Sequence, residues 1–293
     1  MIFNTEPEIQ MSDEEFRLLR DLIYSHCGLF FDTDFKYLLE KRLSKRLSWL
    51  QLGTFTEYHR FLKYGRNREQ ELSDIMDILT TNETYFFRES FQLKAFTEEI
   101  LPELRPRKEQ RGDRSLRIWS AGCSTGEEPY TIAMLLLEMG CFHDWRIEII
   151  GTDISQRVLQ HARKAVYGRH SFRATEKRYI EQYFHEFEES TCKISDKVRE
   201  LVTISHMNLL DQSRLALLGT IDVVFCRNVI IYFDQEAKKK VVQSFYRSLA
   251  PGGYLLLGHS ESLMNITTDF TLKHLRNDLV YQKPCLKRGG VGE

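Results

Sequence analysis

The sequence predicts a two-part chain: an all-α N-terminal domain, then a Rossmann-like α/β domain that carries a small β insertion. Three observations carry that expectation. The first 80 residues hold four amphipathic helical stretches and no strand period. From Leu116 onward short apolar runs alternate with helical patterns, which implies a parallel sheet covered by helices on both faces. Between them, Leu116–Tyr130 passes from apolar run through small residues and glycine into a helix. The expected division is 1–80 for the helical domain and 81–293 for the α/β domain, with the insertion at 166–205.

Bulk properties exclude several classes. At 293 residues, with 42% hydrophobic and 28% charged residues, the composition is that of an ordinary soluble globular protein. No apolar run approaches the roughly 20 residues that span a bilayer, so no membrane insertion is expected. The start, MIFNTEPEIQ, is polar and acidic and lacks signal-peptide form. Six cysteines at 27, 123, 141, 192, 226 and 285 form no CxxC pair. That pattern argues for reduced thiols and a cytoplasmic location, and against a metal site.

Taken in order, Ser12 and Glu15 form a capping box for a helix carrying Phe16, Leu19 and Ile23, which Gly28 stops. A second helix, about Asp34 to Leu50, has Phe35, Leu38, Leu39, Leu43, Leu47 and Leu50 as its expected buried stripe. Its other faces carry Lys36, Lys41, Arg42, Lys45 and Arg46, opposed only by Glu40. Thr54 and Glu57 cap a third helix, and Leu72, Ile75, Met76 and Leu79 mark a fourth. The period then breaks at Thr80–Glu89. A helix from about Phe91 to Leu104 follows, and Arg105–Arg114 reads as an exposed charged linker.

Leu116–Ser120 reads as the first strand and Tyr130–Met139 as the first helix of the α/β part. Arg146–Thr152, ending at Asp153, is the second strand, and Ser155–Ala165 the second helix. Residues 166–205 interrupt the alternation and end in an alternating run, Val198 to Ile204, read as a hairpin-like subdomain. Ile221–Cys226 and Tyr254–Gly258 are later strands, separated by a helix from Gln235 to Leu249.

The chemistry begins at the Ala121–Glu128 loop. Small residues let a ligand approach the backbone, and the helix start offers unpaired N–H groups. Glu127 and Glu128 in the first turn suit the helix dipole but would repel a pyrophosphate. Carboxylates can instead take ribose hydroxyls or face a cation, so the loop reads as a site for S-adenosylmethionine, whose sulfonium is cationic. The strict G-x-G-x-x-G spacing is absent, which points the same way. Another mononucleotide fold stays open on these residues alone. Asp153 stands where such folds place an acid for the ribose, and it could equally cap the helix that follows. Arg227, Asn228 and Tyr232 lie beyond a strand's carboxyl end, so they should reach the same crevice.

Four stretches together carry a resemblance. Thr80-Thr81-Asn82-Glu83-Thr84-Tyr85-Phe86-Phe87-Arg88-Glu89, Ser124-Thr125-Gly126-Glu127-Glu128-Pro129-Tyr130, Phe225-Cys226-Arg227-Asn228-Val229-Ile230-Ile231-Tyr232-Phe233 and Gly258-His259-Ser260-Glu261-Ser262 resemble the signatures of the CheR family. These are chemotaxis-receptor glutamate O-methyltransferases. The match runs in order over nearly the whole chain. The resemblance implies that Asn82, Thr84 and Arg88 reach S-adenosylmethionine from the linker segment. It implies that Glu128 and Asp153 hold its methionine or ribose side, that Asn208 and Leu209 flank the adenine, and that Arg227 and Asn228 complete the pocket. Arg88 and Tyr232 would lie closest to the transferring methyl.

The chemistry agrees with that expectation. A glutamate side chain has an ordinary pKa near 4.3 and is already an anionic nucleophile at neutral pH. No general base is needed, so the enzyme's work is alignment. Arg88 can hold a carboxylate by a bidentate contact, and Tyr232 can orient it or face the sulfonium; an ion pair of Arg88 with Glu89 or Glu127 is the plainer alternative. Cys123 and Cys226 read as packing residues, and His259 as a loop histidine.

The basic helix has its own reading. Lys41 with Lys45, and Arg42 with Arg46, stand four apart and would each form a cationic ridge. With Lys36, they are expected to dock the glutamate-rich cytoplasmic helices of a methyl-accepting receptor. Solvated charge is the plain alternative. Nucleic acid is not expected, because net charge is near −1 and basic and aromatic residues do not interleave. Two other readings remain at this stage: a module that keeps the cofactor without turnover, and a methyltransferase for another acceptor.

Overall fold

The computed structural model describes residues 9–285. Helix α1 (Asp13–Cys27) starts on the Ser12/Glu15 capping box and stops at Gly28, whose φ of 77° only glycine adopts freely. A 3₁₀ turn, Thr33–Phe35, leads into α2 (Lys36–Leu50), and α3 (Phe55–Tyr64) and α4 (Arg68–Leu79) follow. Their apolar stripes meet in one core built on Phe16, Leu19, Ile23, Leu43, Leu47, Phe55 and Ile75. Three members of the stripe expected on the second helix depart from it. Phe35 lies in the 3₁₀ turn and is 47% exposed, and Leu38 and Leu50 are only half buried.

The basic face of α2 also differs from expectation. Lys36 pairs with Asp13 at 2.5 Å, and Arg46 pairs with Glu71 and Asp74. The Arg42 guanidinium turns inward and donates to the carbonyls of Ile78 and Leu79 at the end of α4. Carboxylates from other helices thus neutralise Lys36 and Arg46, and carbonyls turn Arg42 inward, leaving Lys41 and Lys45 exposed.

Helix α5 (Ser90–Ala95) runs through a π-helical turn at Phe96–Ile100 into α6 (Leu101–Glu109). The stretch expected as an exposed linker from Arg105 is therefore helical to Glu109. Arg107 and Lys108 hold it down, donating to the Gly252 carbonyl and to Asp222.

The α/β part follows as β1 (Ser115–Ala121), α7 (Glu127–Met139), β2 (Arg146–Asp153) and α8 (Gln156–Lys164). Then come β3 (Val166–Gly168), α9 (Lys177–Tyr183), β4 (Phe184–Glu186), β5 (Thr191–Ile194), the single turn α10 (Asp196–Arg199) and β6 (Val202–His206). The chain closes with α11 (Gln212–Ala216), β7 (Ile221–Cys226), α12 (Gln235–Ser248), β8 (Leu249–Leu257), β9 (Thr271–His274) and β10 (Leu279–Gln282). Seven strands form one sheet in the order β6-β2-β1-β7-β8-β10-β9. The first five are parallel, and β10 runs antiparallel to both of its neighbours.

Strand period 2 divides the core cleanly. Ile118, Val223, Phe225 and Leu256 face α7 and its neighbours, while Trp119, Val224, Cys226 and Leu255 face α12. The insertion is smaller than expected. Its three-stranded antiparallel sheet, β3-β5-β4, ends at Ile194, and the alternating run at Val202–Ile204 belongs to the edge of the main sheet, parallel to β2. No helix among the described residues is long and apolar enough to cross a membrane.

The helical part is fastened to the α/β part on both sides of the β-strands' carboxyl ends. Ser155 Oγ donates to Asp77 at 2.6 Å, and Asn208 Nδ2 donates to the His26 carbonyl at 2.6 Å. Leu29 bridges to Phe233, and the Phe30 amide donates to the Tyr232 carbonyl at 3.0 Å.

Candidate cofactor pocket

Between these fastenings lies a cavity of about 440 Å³, at the carboxyl ends of β1, β2 and β7, where open α/β sheets bind ligands. All ten residues singled out from the sequence line it: Asn82, Thr84, Arg88, Glu128, Asp153, Asn208, Leu209, Arg227, Asn228 and Tyr232. Its size suits a nucleoside-sized ligand.

Local sequence explains the shape. Gly122 has φ 82°, and a Cβ there would stand 2.3 Å from Val229 Cγ2. Only glycine lets the β1–α7 loop pass so close to the β7 loop. Ser124 also sits at positive φ, and its amide donates to Asp153 at 2.9 Å. Asp153 takes the Ser155 amide at 3.0 Å as well, so it braces the loop of the next helix while lining the pocket. Burial, which outweighs these amides, raises its carboxyl above the ordinary value.

The two adjacent glutamates separate. Glu127 is buried away from the cavity and takes the Thr125 and Ser171 hydroxyls. Glu128 faces the cavity, accepting from Ser120 at 2.6 Å and from Arg227 Nε at 2.5 Å. Arg227 also donates to the Arg88 carbonyl and lies 3.6 Å from Glu89. Phe87 and Glu89, on either side of Arg88, both have left-handed backbone at φ 61° and 57°, a cost of roughly 1–3 kcal/mol each. Arg88 donates to the Glu83 carbonyl at 2.8 Å, so it pairs with neither Glu89 nor Glu127.

Cys123 lines the cavity, but burial pushes its thiol well above the ordinary value, and the same holds for Cys226. Neither is a poised nucleophile. His259 sits outside the cavity, 3.5 Å from Asp278.

Several participants escaped the sequence reading. Phe31, Leu38 and Arg42 of the helical part line the same cavity; Leu38 was expected in the helical core and Arg42 on a docking face, and nothing in the local pattern marks Phe31. Glu261 had a signal, since it lies in Gly258–Ser262. Its carboxylate accepts the amides of Gly258, Asn228, Val229 and Ile231 at 2.8–3.2 Å, so it fixes the loop that carries Arg227 to Tyr232.

Comparison with known proteins decides the family. Residues 82–278 match the family described as CheR methyltransferase, SAM binding domain, and residues 14–80 match CheR methyltransferase, all-alpha domain. The chain belongs to the CheR methyltransferase family. It is 37% identical over 278 residues to chemotaxis protein methyltransferase 2 of Vibrio cholerae serotype O1, covering 94% of this chain and 95% of that protein. It is 34% identical to the chemotaxis protein methyltransferase of Borreliella burgdorferi, covering 87% and 90%. The counterpart from Salmonella typhimurium is 31% identical, over 90% and 89%. This CheR-family chain is thus an S-adenosylmethionine-dependent protein methyltransferase of chemotaxis.

The cavity's chemistry fits that cofactor. Glu128 and Asp153 supply acceptors for a cationic, ribose-bearing ligand. Of the three arginines lining the cavity, Arg227 is matched by the Glu128 carboxylate, while Arg42 and Arg88 donate to backbone carbonyls.

Proposed function

We propose that this protein transfers the methyl group of S-adenosylmethionine to glutamate side chains of chemoreceptor cytoplasmic helices, leaving glutamyl methyl esters. One observation carries the reading. Arg88 and Tyr232 stand in the same cavity wall as the Glu128 and Asp153 acceptors, with no thiol or histidine poised as a base there. A carboxylate acceptor, ionised at neutral pH, needs none.

The roles are assigned from the family resemblance, and the shared cavity lining supports them. Asp153 holds the ribose hydroxyls, Asn208 and Leu209 flank the adenine, and Glu128 with Arg227, Asn82, Thr84 and Asn228 holds the methionine end. Bound there, the cofactor supplies an electrophilic methyl on a sulfonium. Arg88 grips the acceptor carboxylate, and Tyr232, 39% exposed at the mouth, orients it for in-line approach. Methyl transfer breaks the sulfur–carbon bond and forms the ester carbon–oxygen bond, with S-adenosylhomocysteine as the leaving group and no proton moved.

The reading places the protein in the cytoplasm with its substrate, as a helical domain (1–80) and a catalytic domain (81–293). Receptor docking is assigned to Lys41 and Lys45, the cations of α2 left exposed. Two measurements test the proposal: calorimetry with S-adenosylhomocysteine, and mass spectrometry of a chemoreceptor cytoplasmic fragment after incubation with cofactor. Base-labile methyl esters on glutamate support it. Cofactor binding without any ester would overturn it in favour of a module that only binds.

A further inference from the structure

One arginine of the insertion packs against the Glu83–Arg88 segment, whose Glu83, Thr84 and Arg88 line the cavity. Arg173 follows the 3₁₀ turn Arg169–Phe172, and its guanidinium carbon lies 3.7 Å from the centre of the Tyr85 ring. Its Nη2 donates to the Glu83 carboxylate at 2.8 Å. Arg88 completes the arrangement from the other direction. It lies 5.7 Å from the centre of the same ring and donates to the carbonyl of the same Glu83. Two arginines therefore share one aromatic ring and one glutamate.

The platform beneath Arg173 is rigid. The Phe86 amide donates to the Ser171 carbonyl at 2.9 Å, and Ser171 Oγ donates to the buried Glu127 of α7. The Phe86 ring stacks on Phe172, with centroids 5.4 Å apart and planes at 13°, and meets Tyr167 and Phe184 edge-on. Arg173 thus projects from a turn already fixed to the segment that carries Arg88. That segment needs holding, because two left-handed residues flank Arg88 and favour relaxation of the turn.

We infer that Arg173 is a positioning residue for methyl transfer, holding Tyr85 and Glu83 so that Arg88 is presented at the cavity mouth. The inference rests on the acceptor-gripping role given to Arg88 above. A planar guanidinium is required, since it stacks on a ring and pairs with a carboxylate at once, which a lysine ammonium cannot match. Arg173 touches neither cofactor nor acceptor in this account.

The test is a double-mutant cycle read in the rate of receptor-fragment methylation at saturating cofactor, with S-adenosylhomocysteine affinity and Tm measured beside it. Arg173→Ala should lower kcat about tenfold and leave the acceptor KM within about twofold. Arg173→Lys should fall between the two, because it keeps the Glu83 pair and loses the stack. In an Arg88→Lys background, Arg173→Ala should cost less than about twofold. Equal losses in both backgrounds would overturn the inference, as would a change in Tm with kcat unaltered. If Arg88→Lys alone leaves kcat unchanged, the role of Arg88 itself fails and the inference falls with it. That outcome is distinct from additivity, in which Arg88→Lys is impaired and Arg173 acts independently.

Discussion

Glu261 holds Asn228 in a backbone conformation that asparagine tolerates but does not prefer. The carboxylate accepts the Asn228 amide at 2.8 Å while Asn228 sits at φ 58°, and three further amides converge on the same two oxygens. Removing that carboxylate leaves four donors without their acceptor at a half-buried site, where water takes up part of them, so each costs less than the roughly 1–3 kcal/mol of a fully buried orphan. Glu261→Ala should therefore lower stability by about 2–3 kcal/mol and weaken S-adenosylhomocysteine binding by more than tenfold. Glu261→Gln, which keeps one acceptor oxygen, should fall between. Thermal melts and calorimetry check both; an Ala variant with native affinity would show that the Arg227–Tyr232 loop holds its shape unaided.

Asp153 predicts a pH dependence. Burial raises its carboxyl, so relative to the unfolded chain the unliganded fold favours the protonated acid. Its contribution to stability is accordingly complete below the ordinary carboxylate value and is lost as pH rises through the raised one. Binding a ribose needs the ionised acceptor, which runs the other way. Cofactor affinity should increase with pH across that window, above the ordinary carboxylate range, and Asp153→Asn should flatten the profile at low affinity. Calorimetry from mildly acidic to neutral pH reads it; a wild-type profile as flat as the variant's contradicts the assignment.

Lys41 and Lys45 should behave unlike their neighbours on α2. Reversing both to glutamate should raise the acceptor KM severalfold at low salt, and less at high salt because exposed charges are screened. Cofactor affinity should not change. Arg42→Glu should impair cofactor binding instead, since Arg42 lines the cavity and caps the end of α4. Equal effects of all three on the acceptor would restore a continuous basic docking face.

Gly122→Ala places a methyl 2.3 Å from Val229 at a φ of 82°. Loop separation and backbone strain act together, so a loss of about 2 kcal/mol or more in stability is expected, with weakened cofactor binding. A denaturant titration of the variant measures the first. An alanine variant of native stability would mean the two loops are freer to part than their packing indicates.

The sequence was most informative where chemistry is local. Strand, glycine turn and acidic helix start at Leu116–Glu128 are consecutive, and the residues after β7 follow directly from where a parallel strand ends. Side-chain direction was not legible in the same way. Arg42 and Arg46 share a helical spacing with Lys41 and Lys45, yet carbonyls at Ile78 and Leu79 and carboxylates at Glu71 and Asp74 draw the arginines inward. Those partners lie 25 to 37 residues away, so helix periodicity carries no trace of them. Val202–His206 misled for a related reason. Its alternation is that of any half-buried strand, and the partner it selects, β2, is some 50 residues upstream. The division of Glu127 from Glu128 was equally hidden, because it depends on Ser171 from the insertion closing over one of two adjacent carboxylates.

The short backbone contact at Phe30 and Tyr232 carries a mechanical consequence. The main chain of the helical part is tied to the residue assigned to the methyl-bearing end of the cavity. Any swing of the helical part pulls on that tyrosine like a lever. Cargo exchange by wide opening would unzip this seam and scramble the aim of Tyr232, so the nucleoside is expected to enter and leave past a stationary seam. The amide of Phe30 should then rank among the slow-exchanging protons of the molecule, and its rate should stay the same whether the enzyme is resting or turning over.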